Sequence, residues 1–448
     1  MSTSPRTMPG VLELLPLEQT AFQKMVDAVR RVYELHGFVP IETPVLELSE
    51  VLLTKTGGET ERQVYFAQST GSLEQGRDPD LAMRFDLTVP LARYVAEHQN
   101  DLVFPFRRYQ IQRVYRGEAP QRGRFREFYQ ADIDIVGLGE LPVTADAECP
   151  AVIYDVFREL AIGAFTVKVN NRKLVQGVLS DLGVELVDHA GVLREIDKLD
   201  KRGADHVREA LGGYGLSSAA TAGLLDFVAY SSAGIESALR HLAVLGTPNE
   251  LMAQGRSELI TVFETLQGLG VDDGAIVLDC SIARGLDYYT GTVFETVLDD
   301  HPGIGSICSG GRYDDLAGMY TNTHLPGVGI SIGLTRLFWQ LREIGLIEVD
   351  LSPTTVFVTL FEEEDRSHAA ALATNLRNAG VATLISDAPR RLGKQLKYAD
   401  RAGIRFAIIA GSDERSRGVV TVKDMVDESQ SEVPVADLPA FFRSRGGR

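Results

Sequence analysis

The chain has 448 residues, 44% hydrophobic and 24% charged, an ordinary globular composition with room for two to four domains. A net charge of −17 excludes a protein that coats nucleic acid non-specifically, though a local basic patch on an acidic body still admits a tRNA partner. The three cysteines (Cys149, Cys280, Cys308) form no CxxC and the eight histidines show no ligand spacing, so neither a disulfide framework nor a protein-built metal cluster is indicated.

At the N-terminus, MSTSPRTMPG lacks an apolar signal core, and no run approaches the ~20 apolar residues of a membrane span, so a cytoplasmic, soluble, reduced protein is expected. Residues 19–36 follow with Phe22, Met25, Val26, Val29 and Tyr33 at helical spacing and Gly37 as the stop. An extended segment, 38–45, is broken by Pro40 and Pro44; such an edge beside a long helix suits a dimer seam. RFDLTVPLARY (84–94) then places Asp86 two residues from Thr88. A carboxylate beside a hydroxyl suits an α-ammonium group, yet Asp-x-Thr before Pro90 is also a helix start, and the residues leave both readings open.

From Arg107 to Gly137 the pattern is a hairpin. One strand runs over Tyr109–Arg116 and another over Glu127–Val136, with Gln130, Asp132 and Asp134 sharing parity and so one face. The loop Gly117–Arg124 carries Glu118, Pro120, Arg122, Gly123 and Arg124. Arginines bind phosphate oxygens as planar forks, and a ring such as Phe128 stacks on a base. A merely solvated hairpin is the weaker reading, because guanidiniums this dense repel one another without an anionic ligand.

Thr144–Leu160 reads as a helix and Phe165–Val169 as a strand. Residues 172–268, rich in Ala, Gly, Leu and Ser, carry helical patterning (Leu193–Asp197, Ala219–Tyr230, Glu236–Val244) and no strand. Strand character resumes at Ile276–Leu278 and leads to Arg284, Gly285, Tyr288 and Tyr289, an arginine and two phenols suited to a small-ligand wall. Ser309–Asp314 reads as a tight turn that brings Tyr313 close to the backbone. In the strand after Pro326, Gly327, Gly329, Ser331 and Gly333 bare one face while Ile330 and Ile332 fill the other. Arg336 falls in the first turns of the helix that follows, a place suited to phosphate. Beyond a boundary near 351–353, strands and helices alternate as a small α/β domain without a catalytic set.

Together these residues resemble the histidyl-tRNA synthetases, a class II aminoacyl-tRNA synthetase family, over essentially the whole chain. The first helix with Pro44 resembles motif 1, RVYRGEAPQRGRFREFYQ motif 2, and GVGISIGLTRLF motif 3. RGLDYYTGTVFE (284–295) and SGGRYD (309–314) resemble the two histidine-specific signatures. RFDLTVPLARY resembles the eukaryote-like branch, where Asp86 and Asp134 stand in place of glutamates.

The resemblance implies an α+β catalytic core, an antiparallel sheet flanked by helices, in two parts (1–171 and 269–350). It also implies a helical insertion (172–268) against the acceptor stem and a C-terminal α/β anticodon-binding domain (354–448). L-histidine and ATP, with Mg2+, would give histidyl-adenylate, and the amino acid would pass to the terminal adenosine of tRNA(His), in a homodimer. Histidine would meet Asp86, Thr88 and Gln130 at its α-amino end and Asp134 and Tyr289 at its ring, with Tyr313 nearby and Tyr288 also binding histidine. ATP would meet Arg116, Glu118, Arg124, Phe128 and Arg336. Arg284 and Arg116 would be catalytic, Arg284 standing where other class II enzymes place a metal ion. The alternative is a non-catalytic paralogue such as the regulatory subunit of ATP phosphoribosyltransferase, which usually lacks the anticodon domain and departs from RGLDYY.

Overall fold

The computed structural model describes residues 4–53, 63–119, 123–196, 199–282, 289–315, 317–318, 320–347, 349 and 352–445. Contacts divide the chain into two compact units, Met1–Leu12 with Met25–Leu346, and Glu13–Lys24 with Ile347–Arg448. No described helix is long and apolar enough to cross a membrane.

The strands of the first unit, in chain order, are β1 (Val39–Pro40), β2 (Leu46–Leu48), β3 (Tyr65–Ala67), β4 (Leu81–Met83), β5 (Phe106–Tyr115), β6 (Glu127–Val136), β7 (Phe165–Asn171), β8 (Ile276–Leu278), β9 (Thr292–Leu298), β10 (Cys308–Tyr313) and β11 (Gly327–Ile332). Eight of them form one sheet in the order β1-β5-β6-β11-β10-β9-β7-β8, while β2, β4 and β3 make a small separate sheet. The large sheet is antiparallel through its centre, with parallel pairs only at the edges, β1 on β5 and β7 on β8. This is the class II synthetase-like α+β core.

Local sequence explains most of these elements. The helix Pro16–Leu35 buries the apolar positions Phe22, Met25, Val26, Val29 and Tyr33, and Gly37, at φ +77, ends it. On one sheet face the Tyr33 hydroxyl donates to the Ala131 carbonyl. The helix Thr144–Leu160 packs across that same face, and Arg312 turns toward it, its Nε 3.0 Å from Asp146 Oδ1. Among the described residues, 172–268 hold the helices Arg172–Asp181, His189–Ile196, Leu199–Gly212, Ser218–Val228, Ile235–Val244 and Glu250–Gly268 and no strand.

Two expectations need correction. The first hairpin strand begins at Phe106 rather than Tyr109, because Phe106 pairs with Val136 and carries the ladder to the far end of β6. Ser309–Asp314 is not a tight turn: Cys308–Tyr313 is a strand paired on both sides, by β9 and β11. Its glycines serve close packing, since a Cβ on Gly310 would collide with the Gly329 carbonyl.

The second unit has the sheet β13-β12-β14-β15-β16, from β12 (Val356–Val358), β13 (Thr383–Ile385), β14 (Phe406–Ile409), β15 (Val419–Asp424) and β16 (Gln430–Pro434). The first three pair in parallel and the last two antiparallel. Helices Arg366–Asn378 and Leu438–Arg443 contribute Leu372, Leu376, Leu438 and Phe442 to its core. The sequence pattern misses β16 because its burial is confined to Val433, so no alternation is visible.

Candidate active site

The face of the large sheet opposite the helices lines a cavity of about 460 Å3. Strand parity decides what it presents. Along β6, Phe128, Gln130, Asp132 and Asp134 point into it, roughly 7 Å apart from one to the next. Pairing decides their sideways neighbours: Asp134 lies opposite Arg108 on β5 and Gly329 on β11, and Asp132 lies opposite Gln110 and Ser331.

Every expected site residue that falls within the described part lines this cavity: Asp86, Thr88, Arg116, Glu118, Arg124, Phe128, Gln130, Asp134, Tyr289, Tyr313 and Arg336. Arg284 and Tyr288 lie outside the described residues. The helix-start reading of Asp86 holds. A helix, Thr88–His98, starts there, and Asp86 Oδ1 accepts from Val89 N at 3.1 Å, while Oδ2 is buried without a partner among the described residues.

Carboxylates gather at one end. Asp86, Asp132 and Asp134 are all buried, and burial pushes their carboxyl groups up to about 6, about 7 and about 6. Arg108 opposes this in each case. It is fully buried, with Nη2 2.5 Å from Asp134 Oδ2, and the Tyr313 hydroxyl donates to Asp134 Oδ1 at 2.8 Å. Gly329 is required beside them, because a Cβ there would collide with the Asp134 carboxylate. Gln130 donates from Nε2 to Ser331 Oγ at 2.7 Å.

Guanidiniums gather at the other end. Arg116 is anchored by Nε donating to the Phe85 carbonyl at 3.0 Å, and its guanidinium lies 5.1 Å from the centre of the Phe128 ring. Arg336 donates from Nη2 to the Ile304 carbonyl at 2.8 Å, leaving Nε buried without a partner among the described residues. Burial, and then Arg124, lower its pKa. An anion held between Arg124 and Arg336 would relieve that repulsion. Arg124 Nη1 reaches Glu118 Oε2 at 3.4 Å.

Chemically, the cavity can hold an ammonium-bearing molecule at its acid end and a polyphosphate with an aromatic base at its arginine end. Two residues at the acid end stand outside the expected site set. Asp132 shared parity with two named residues, a signal that was present. Arg108 is one of four arginines, with Arg107, Arg113 and Arg116, on one strand and its end, and only the cross-strand register singles it out.

Comparison with known proteins gives concordant matches. Residues 10–337 match the family described as histidyl-tRNA synthetase, and residues 355–445 match the anticodon binding domain. A protein of Stenotrophomonas maltophilia (strain K279a) named histidine–tRNA ligase is 57% identical over 442 residues, 96% of this chain and 95% of that one. The crystal structure of histidyl-tRNA synthetase from Nostoc sp. PCC 7120 superposes with TM-score 0.90 at 39% identity, over 99% of this chain and 100% of that one. A structure described as an ATP phosphoribosyltransferase regulatory subunit/histidyl-tRNA synthetase from Bacillus halodurans C has TM-score 0.73 at 21% identity, over 89% of this chain and 97% of that one, a likeness of fold alone. These relatives are bacterial and lend no support to a eukaryote-like branch.

Proposed function

The chain belongs to the histidyl-tRNA synthetase family, and from that membership we propose how its residues divide the work. The activity is that of a histidine–tRNA ligase: histidine and ATP yield histidyl-adenylate and pyrophosphate, and histidine then passes to tRNA(His). One observation carries the assignment of residues: a single cavity joins an acid-lined end to an arginine-lined end along one strand face.

In this reading Asp86, Thr88 and Gln130 take the α-amino end of histidine, and Asp134 with Tyr288, Tyr289 and Tyr313 takes the imidazole. Arg116 clamps the α-phosphate, Phe128 stacks on adenine, and Arg124 and Arg336 take the outer phosphates. The histidine carboxylate oxygen attacks the α-phosphorus and the bond to pyrophosphate breaks, so no side chain acts as nucleophile. Catalysis is then positioning and charge stabilisation. Arg284, assigned by family likeness, holds the two anions together. Glu118 is the carboxylate at the phosphate end, suited to a Mg2+ that arrives on ATP, where the ion would neutralise phosphate charge.

The proposed domains are 1–171 and 269–350 for the core, 172–268 for the insertion against the acceptor stem, and 354–448 for the anticodon. A homodimer is supported by large apolar side chains exposed along one stretch, Leu35, Val39, Val45, Leu46 and Leu48. A cytoplasmic location accords with the partners. The eukaryote-like branch rests on RFDLTVPLARY alone. Against a non-catalytic paralogue stand the match to the anticodon binding domain and the RGLDYY segment, and against a module without chemistry stand Arg116, Arg284 and Arg336. Histidine-dependent exchange of pyrophosphate into ATP tests the whole reading, and its absence from the folded protein would overturn it.

A further inference from the structure

Besides Gln340 Oε1 at the arginine end, three acceptor oxygens lining the cavity have no partner among the described residues: Asp86 Oδ2, Gln130 Oε1 and Asp132 Oδ1. Each belongs to a side chain more than nine-tenths buried. A buried carboxylate or amide oxygen left unsatisfied is costly, so an empty set of three points to a missing donor. An α-ammonium group carries three N–H donors and one positive charge.

We propose that Asp132 is a substrate-binding residue that accepts an N–H of the histidine α-ammonium, completing a three-oxygen cradle with Asp86 and Gln130. The proposal rests on the histidine-ligase reading and extends it to a residue outside the family-derived set. Charge favours Asp132 over its neighbours. Asp134 already has its charge compensated by the Arg108 ion pair, with lone pairs left for the ring N–H, and the Thr88 hydroxyl is neutral. The titratable groups around Asp132 are Arg108 from β5, Asp134 from β6, Cys308 from β10, Asp86 and Arg84 beside the helix start, and Tyr33 from the first helix. Three carboxylates thus face the buried guanidiniums of Arg108 and Arg84, and Asp86 also faces Arg116. Arg84 donates from Nε to the Arg113 carbonyl and from Nη1 to the Thr43 carbonyl, whereas Arg108 is ion-paired to the cluster through Asp134. An arriving ammonium supplies the missing cation.

The test separates the two ends of the substrate by direct calorimetric binding to the wild type and to Asp132→Asn. Histidinol keeps the ammonium and the imidazole, whereas 3-(imidazol-4-yl)propionate keeps the imidazole and lacks the ammonium. Loss of the acceptor's charge from a hydrogen bond to an ammonium should weaken histidinol on the order of 10- to 100-fold and leave imidazolepropionate within about twofold. Equal weakening of both, or no weakening of histidinol, overturns the proposal. Selective weakening of imidazolepropionate also overturns it, by placing Asp132 on the ring. Retained ATP binding reports a folded site, and Asp132→Ser is the second variant should Asp132→Asn not fold. A wild type that binds neither ligand would instead reject the histidine-ligase reading itself.

Discussion

Arg108 Nη2 lies 2.5 Å from Asp134 Oδ2, an ion pair between cross-strand partners of β5 and β6 from which solvent is excluded. The same carboxylate accepts from Tyr313 through its other oxygen. A carboxylate held this way is fixed in direction, which suits recognition of a planar ring by its N–H edge.

Asp134→Asn should therefore raise the KM for histidine by at least tenfold while leaving that for ATP within about twofold, since a neutral amide loses a charge-assisted bond at one end of the cavity only. Equal changes in both constants would make Asp134 structural. Arg108→Met should cost about 3–5 kcal/mol of stability, read from urea unfolding, because it strands a buried carboxylate.

The acid cluster also predicts a pH dependence. Asp86, Asp132 and Asp134 titrate in the folded chain at about 6, about 7 and about 6, above their ordinary 3.8. The folded state thus binds more protons than the unfolded one between these values, and the cluster's contribution to stability is lost as pH rises from about 4 through about 7. Melting temperature without ligand should fall over that interval, and Asp132→Asn should flatten the fall. A variant with the wild-type slope would show that Asp132 does not titrate there.

At the opposite end, Arg116→Ala should depress pyrophosphate exchange by about 10²–10³-fold with the protein still folded, since a phosphate clamp acts chiefly in the transition state. Arg284→His should slow single-turnover adenylate formation with little change in the KM for histidine, because imidazole cannot form the two-pronged guanidinium contact. Near wild-type rates in either variant would remove that residue from the chemistry.

Removal of the chain after residue 352 should spare histidine-dependent exchange and severely weaken aminoacylation of tRNA. The second unit has its own hydrophobic core, and every residue lining the cavity belongs to the first. If exchange fell in step with aminoacylation in a folded, dimeric core, the second unit would be part of the catalytic scaffold.

The sequence by itself determined the main helices and the faces of the hairpin strands. Spacing placed the helix around Met25 and Val29, and period-two parity put Gln130, Asp132 and Asp134 on one face, because local geometry fixes both patterns. Glycines at 327 and 329 marked a close approach without saying to what. Only the tertiary structure decided the sideways neighbours. It set Arg108, rather than Arg107 or Arg113, against Asp134, and brought Tyr313 to the same carboxylate from 179 residues away. It also made Ser309–Asp314 a doubly paired strand where the glycines had read as a turn. The physical reason is that hydrogen-bond register between strands is a non-local property. Side-chain periodicity says which way a residue points, whereas the pairing of distant strands says what it meets.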